Sequence, residues 1–170
     1  PTETWPAMIA AVTDLDGRIT GVHRTWLAPD GSGKAPVDPS RKAMDDLLRH
    51  AVRFGDAQDV MAAGEGIETI LSLRQALPTM PMVSALSAGH LAAILFPPQL
   101  RRLYIVRDND PAGDSARDSL VGRAHEAGIE AITLSAMMGD FNEDLATYGL
   151  DAVRAEIRCL LYTSPSPRDS

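Results

Sequence analysis

From residue 57 onward, short apolar runs alternate with longer stretches of helical period, and this alternation constrains the fold more than any other feature. "DVMAA", "MVSAL", "RRLYIVR" and "IEAITLS" read as short buried strands. Between them, residues 67–77 carry Ile67, Ile70, Leu71 and Leu77 at helical spacing until Pro78 stops the pattern. "AGHLAAILF" reads as a short helix closed by Pro97 and Pro98. Residues 112–127 set Ala116, Leu120, Ala124 and Ala127 on one face before Gly128, and "DAVRAEIR" starts a last helix with Asp151 near its N-terminus. Strands joined through helices by short connections make parallel βαβ units. The expected fold class is therefore α/β, a mostly parallel sheet with helices on both faces.

The preceding residues have a different texture. "AMIAAVTDLDGRITGVHRTWL" holds two apolar runs around an Asp-Gly turn, the pattern of a hairpin. "APDGSGKAPVDPS" is loop by its Pro and Gly content. "RKAMDDLLRHAV" reads as a short helix or an irregular segment, and "VRF" before Gly55 as a short strand. The organisation this implies is a small β-rich subdomain over residues 1–56, followed by the α/β domain over 57–158. Residues 159–170, "CLLYTSPSPRDS", resemble the translation of a transposon-end sequencing adapter, and their composition also suits a disordered linker. Either origin removes them, Cys159 included, from fold reasoning, and the body is then left without a disulfide or a thiolate metal site. An opening at Pro1 reads as a fragment of a longer protein.

No apolar run approaches the roughly 20 residues needed to span a bilayer, and no secretory signal pattern opens the chain. The expectation is a cytoplasmic protein without membrane partners. A net charge of -7 argues against a protein that coats DNA. It leaves nucleic-acid enzymes open, because acids gathered at a metal site count negatively until the metal binds.

The acids are the informative residues. In parallel sheets ligands bind beyond the C-terminal ends of the strands. Glu65 follows the first strand of the α/β region, Asp108 and Asp110 follow the third, and Asp140 follows the fourth. Each has an ordinary structural use. Asp110 before Pro111 suits a helix N-cap, Asp108 an Asx turn, and Glu65 between Gly64 and Gly66 a solvated loop. Asp140, Glu143 and Asp144 suit an exposed acidic loop. Four acids ending three parallel strands would nevertheless repel one another unless a cation sat between them. Mg²⁺ fits that need, taking one or two carboxylates with waters and phosphates around it. An Asp-x-Asp pair leaving a strand aims both carboxylates the same way, and Gly64, Gly66 and Gly113 permit close approach of backbone and phosphate. No His or Cys lies near these acids in the sequence, which argues against zinc.

"GEGIETIL", "LYIVRDNDPAGDSA" and "GDFNEDL", in that order over residues 59–148, resemble the three signature segments of the Toprim domain, the metal-binding catalytic module of bacterial-type primases, topoisomerases and some nucleases. The segment before them, through "AVRFG", resembles the region preceding Toprim in primase-like proteins of phages, plasmids and mobile elements. The zinc ribbon that often lies further upstream in those proteins has no cysteine ligands here. The resemblance implies a Toprim-like Rossmannoid sheet preceded by a small β-rich subdomain. It implies Glu65 as general acid/base or ligand, and Asp108 and Asp110 as holders of Mg²⁺, with Mn²⁺ able to substitute. Asp140, ahead of Asn142, matches a third acidic segment that adds to the metal site in primases. Arg107 stands where the family often has a small or apolar residue.

The implied function is Mg²⁺-dependent nucleotidyl transfer by the catalytic core of a DNA primase-like protein. Its partners would be a single-stranded DNA template, ribonucleoside triphosphates joined into short RNA primers, and a replicative helicase. Gly66, Asn109, Gly113, Asn142, Arg24 and Lys42 are the candidates for nucleotide or nucleic-acid contacts. Arg18, His23, Lys34, Arg41 and Arg53 are further basic residues that would track phosphates or simply be solvated. Trp5 and Trp26 suit base stacking or packing, and His90 suits a helix start. The alternatives are a Toprim nuclease or topoisomerase fragment, or a non-catalytic module recruiting nucleic acid to a helicase. For a topoisomerase, Tyr104 in a strand and Tyr148 in a loop are weak candidates for the catalytic tyrosine.

Overall fold

Ala7–Thr13 (β1) and Ile19–Trp26 (β2) form an antiparallel hairpin in the computed structural model, which describes residues 2–163. Asp14 closes its turn by accepting from the backbone N–H groups of Asp16 and Arg18 at 2.9 Å, while Gly17 takes φ +80°. Arg41–Asp45 (β3) adds antiparallel to β2, giving a three-stranded sheet of order β1-β2-β3. These five residues form a strand where the sequence alone suggests a short helix or irregular segment. Pairing with the open edge of β2 outweighs local preference, and all five side chains remain exposed.

Val52–Phe54 (β4), Val60–Gly64 (β5), Met82–Ser84 (β6), Arg102–Arg107 (β7) and Glu130–Ser135 (β8) build a five-stranded sheet of order β4-β6-β5-β7-β8. Strands β5 to β8 run parallel, and β4 joins β6 antiparallel at one edge. The helices are Ile67–Ala76 (α1), Ala88–Ala93 (α2), Pro111–Glu126 (α3), Phe141–Tyr148 (α4) and Leu150–Thr163 (α5).

Strand alternation divides the core into two layers. Met61, Ala63, Leu103 and Ile105 face α2 and α3, packing with Leu91, Leu120 and Ala124. Ala62, Tyr104, Val106 and Leu134 face α1, α4 and α5, packing with Ile70, Leu73, Phe141 and Ile157. The helices that follow β5 and β7 therefore lie on opposite faces of the sheet. A third cluster, Ala10, Val12, Leu47, Val52 and Ile67, ties the small sheet to the start of α1.

Residues 141–148 are helical rather than an exposed acidic loop, and Tyr148 ends that helix. The reason is Asp144, which is fully buried and accepts from the backbone N–H groups of Met137 and Met138 at 2.8 Å each. With Phe141 one turn earlier it forms the inner face of α4. Glu156 of α5 lies against Asp144; burial, then that neighbouring charge, push its carboxyl up to about 7. Helix α5 continues five residues into the segment read as a tail, and Leu160 and Leu161 pack on the core. Residues 164–170 lie outside the described residues. Among the described residues no helix is long and apolar enough to cross a membrane.

A Cβ on Gly64 would lie 2.8 Å from Ile70 Cδ1 and 3.1 Å from Val106 Cβ, whereas one on Gly122 in α3 meets nothing within 4 Å. Gly64→Ala should lower stability by about 1–3 kcal/mol through overpacking. Gly122→Ala should raise it by about 0.5–1 kcal/mol. Thermal denaturation of the two variants checks both signs.

Candidate metal centre

Strands β5 and β7 are neighbours, with Gly64 opposite Val106. Glu65 and Asp108 follow them directly, at the point where the connections part to opposite faces of the sheet. Such a switch point opens a crevice beyond the strand ends. Here the small sheet covers one side of it. The result is a groove of about 850 Å³, lined on one side by Glu65, Gly66, Asp108, Asp140 and Asn142 and on the other by Thr25, Lys34 and Arg41.

The acids in this groove sense one another. Asp108 is half-buried, and its Oδ1 is buried without a hydrogen-bond partner among the described residues. Burial, followed by the charges of Glu65, Asp140 and Asp110, pushes its carboxyl up to about 7. Glu65 is also raised, first by burial and then by Asp110, with the backbone of Ala88 and the charge of Arg41 pulling the other way. Two of these acids have a structural task as well. Asp110 caps α3, its Oδ1 accepting from the Gly113 N–H at 2.6 Å with Pro111 at the first helical position. Asp140 caps α4, its Oδ1 accepting from the Glu143 N–H at 2.8 Å. Asp110 is exposed and does not itself line the groove.

A hard divalent cation fits this donor set. The donors are all oxygen, and Asp108 Oδ1 is a buried acceptor with nothing to accept from. Among the described residues no group of three or more Asp, Glu, His or Cys side chains is placed to hold a metal ion, so the protein supplies no cage of its own. Mg²⁺ does not require one, because it retains several waters and completes its shell with substrate phosphates.

The other candidates fall into three groups. Gly66 and Asn142 line the groove, Asn142 Oδ1 accepting from Ser72 Oγ at 3.2 Å. Asn109 and Gly113 serve the scaffold. The Asn109 side chain donates to the carbonyls of Ala136 (2.9 Å) and Met138, and its N–H donates to Gly139 at 2.8 Å, joining the β7 and β8 loops. A Cβ on Gly113 would come within 2.2 Å of the Asp108 carbonyl, so its smallness lets α3 approach that strand end. Arg107 pairs with Asp114 at 2.5 Å. Arg24 and Lys42 line a different cleft, on the outer face of the small sheet.

Arg41 is the residue that sequence reasoning left undistinguished among the surface cations. It lies across the groove from the acids and has no salt-bridge partner among the described residues. Lys34, from the β2–β3 loop, pairs with Glu68 of α1 at 3.3 Å. Had residues 41–45 been read as a strand, alternation from Thr25 and its partner Arg41 would have placed Arg41 on the groove face.

A family model described as the Toprim domain matches residues 60–151, more than half of the chain. The chain belongs to the Toprim family. A second model, described as a domain of unknown function (DUF7146), matches residues 1–54 of this Toprim protein. No curated protein matches it. Among solved structures, the primase fragment of the bacteriophage T7 primase-helicase protein aligns at a TM-score of 0.68 with 15% identity, covering 94% of this chain and 64% of that one. The Aquifex aeolicus primase (zinc-binding and RNA polymerase domains) aligns at 0.60 with 19% identity, covering 89% and 39%. A DNA primase domain from Pseudomonas aeruginosa aligns at 0.54 with 16% identity, covering 88% and 50%. The Toprim chain thus shares the fold of these primase fragments over most of its length, and spans less than two-thirds of theirs.

The raised carboxyl of Asp108 carries a sign. Its folded-state value of about 7 exceeds the ordinary 3.8, so the stability it contributes is full below about pH 4 and is lost as pH rises through 7. Asp108→Asn should therefore raise Tm at pH 8 in the presence of a chelator and leave it nearly unchanged at pH 4. Melting curves of the variant and parent at the two pH values test this.

Proposed function

We propose that this Toprim protein catalyses metal-dependent nucleotidyl transfer of the primase type, joining ribonucleotides on a single-stranded DNA template. The observation that carries the proposal is the meeting of three acids from three strand ends in one groove. There the buried Oδ1 of Asp108 lacks a hydrogen-bond partner among the described residues, and the cations Lys34 and Arg41 stand opposite.

Asp108 and Asp140 would hold Mg²⁺ or Mn²⁺, with waters and substrate phosphates completing the shell, while Asp110 stays at the α3 N-cap outside the groove. When bound, the ion supplies neutralisation of the phosphate charge and stabilises the attacking and leaving oxygens. In the transfer, a 3′-oxygen attacks the α-phosphorus of the incoming nucleotide, one P–O bond forms, and pyrophosphate leaves as the other breaks. Glu65 accepts the proton of the attacking hydroxyl, a role its raised pKa suits. Arg41 and Lys34 orient the phosphates from across the groove, Lys34 by exchanging its contact with Glu68. The solved structures sharing this fold include the primase part of a primase-helicase protein, which supports a helicase as partner of the complete protein. Among the described residues no tyrosine lines the groove.

The test incubates the full chain with single-stranded DNA, labelled ribonucleotides and Mg²⁺ or Mn²⁺. Short RNA products are expected. Asp108→Ala and Glu65→Gln should each lower them at least about 10²-fold. Arg41→Ala should raise KM for the nucleotide more than it lowers kcat. Independently of activity, Mn²⁺ should raise Tm of the parent and not of Asp108→Ala. Cleaved template without RNA products would transfer the assignment to a nuclease.

A further inference from the structure

Two loops carry the acids that follow β7 and β8. Residues 108–110 leave β7, and residues 136–139 leave β8 and end at Asp140. Met137 and Met138, at the tip of the second loop, are 52% and 38% exposed, so packing does not hold that tip. Polar bonds hold it instead, from two sides. On the α4 side, Asp144 and Glu143 accept from the backbone N–H groups of Met137, Met138 and Gly139. On the β7 side the loop supplies carbonyls, and the donor to each is Asn109. Its side-chain amide donates to Ala136 at 2.9 Å and to Met138, and its backbone N–H donates to Gly139 at 2.8 Å.

Asn109 stands between Asp108 and Asp110 in the chain and is itself exposed, so burial does not demand these bonds. Its amide is oriented by Arg107. One Arg107 nitrogen, Nη1, donates to Asn109 Oδ1, while Nε donates to Asp114 of α3 at 2.5 Å. A guanidinium has donors only, which fixes the amide with its oxygen toward Arg107 and its nitrogen toward the two carbonyls. A forked side chain can serve both partners at once; a lysine has a single nitrogen, and a small residue reaches neither. Asp114 is steadied in turn by Arg117 at 3.4 Å. A chain of bonds thus runs from α3 through Arg107 and Asn109 to the loop that presents Asp140. Neither Arg107 nor Asn109 lines the groove.

We propose that Arg107 and Asn109 are positioning residues of the metal centre, a splint that holds the Asp108 loop and the Asp140 loop at the separation a divalent cation requires. Neither residue touches the ion; both act through the carboxylates beside them. Like charges on the two loops repel until the cation binds. A splint of one amide and neutral carbonyls resists that repulsion without competing for the metal. The inference rests on the metal-binding part of the proposed function, and it holds equally for a primase or a nuclease.

The experiment measures Mn²⁺ binding by the full chain from the electron paramagnetic resonance signal of the free ion, without nucleotide or nucleic acid. Tm in chelator reports the stability of each variant separately. A salt bridge at the opposite end of the same two strands supplies the control. Arg102 Nε pairs with Glu130 at 2.5 Å, joining β7 to β8 where they begin. Asn109 is exposed, so its truncation leaves the core intact. Asn109→Ala and Arg107→Ala should each weaken Mn²⁺ binding about 10-fold or more, the loss typical when a group supporting a metal ligand is removed. Arg107→Lys should recover only part of that loss. Arg102→Ala should leave Mn²⁺ affinity as in the parent, whatever it does to Tm. The proposal is overturned if Asn109→Ala and Arg107→Ala bind Mn²⁺ like the parent, or if Arg102→Ala weakens binding as much as they do. Either result leaves the metal reading standing. A parent chain that binds no Mn²⁺ overturns the metal reading, and the splint with it.

Discussion

Parallel pairing of β5 with β7 decides where the acids of this protein meet. The two strands lie side by side at the middle of the sheet, and their following helices depart to opposite faces. A crevice opens at their C-terminal ends, and Glu65 and Asp108 stand at its two lips. The close approach has a steric condition. Gly64 leaves no room for a side chain between Ile70 and Val106, and Gly113 none against the Asp108 carbonyl. Local compactness of the backbone, rather than any attraction between the functional groups, assembles the site.

The functional groups themselves resist that assembly. Asp108 sits near three other acids with one oxygen lacking a partner among the described residues, and burial first, then those charges, raises its pKa. Helix capping anchors part of the cluster in place. Asp110 and Asp140 each commit one oxygen to a helix N-terminus, which fixes the carboxylate. The capping of two helices and the gathering of these acids are therefore one arrangement. Positive charge comes from outside the α/β unit, since Lys34 and Arg41 belong to the small sheet and its loop. Asp144, buried under the β8–α4 turn, holds the loop that presents Asp140.

Much of the architecture was legible because it depends on periodicity. The four parallel strands, the hairpin of β1 and β2, and helices α1, α2, α3 and α5 each follow an apolar pattern that burial reproduces in the main, with Leu71, Ala127, Ile9 and Ile19 left exposed. Where pattern was weak, reading failed. Residues 41–45 carry no apolar alternation, and only the open edge of β2 makes them a strand. "FNEDLATY" looked solvated because an acid is rarely buried; Asp144 is buried since two backbone N–H groups satisfy it. Missing β3 also concealed Arg41, whose face follows from strand alternation alone.

The sequence by itself determined the α/β class, the order of the acidic segments and their positions at strand ends, because hydrophobic period and turn chemistry act over a few residues. Tertiary structure decided which acids share a groove, which ones also cap helices, and which cations face them. Those outcomes depend on strand order and on the docking of two sheets, where contacts join residues far apart in the chain. Arg41 and Lys42 show the division most plainly. They are neighbours of like charge in the sequence, and the pleat of one edge strand sends them to separate clefts.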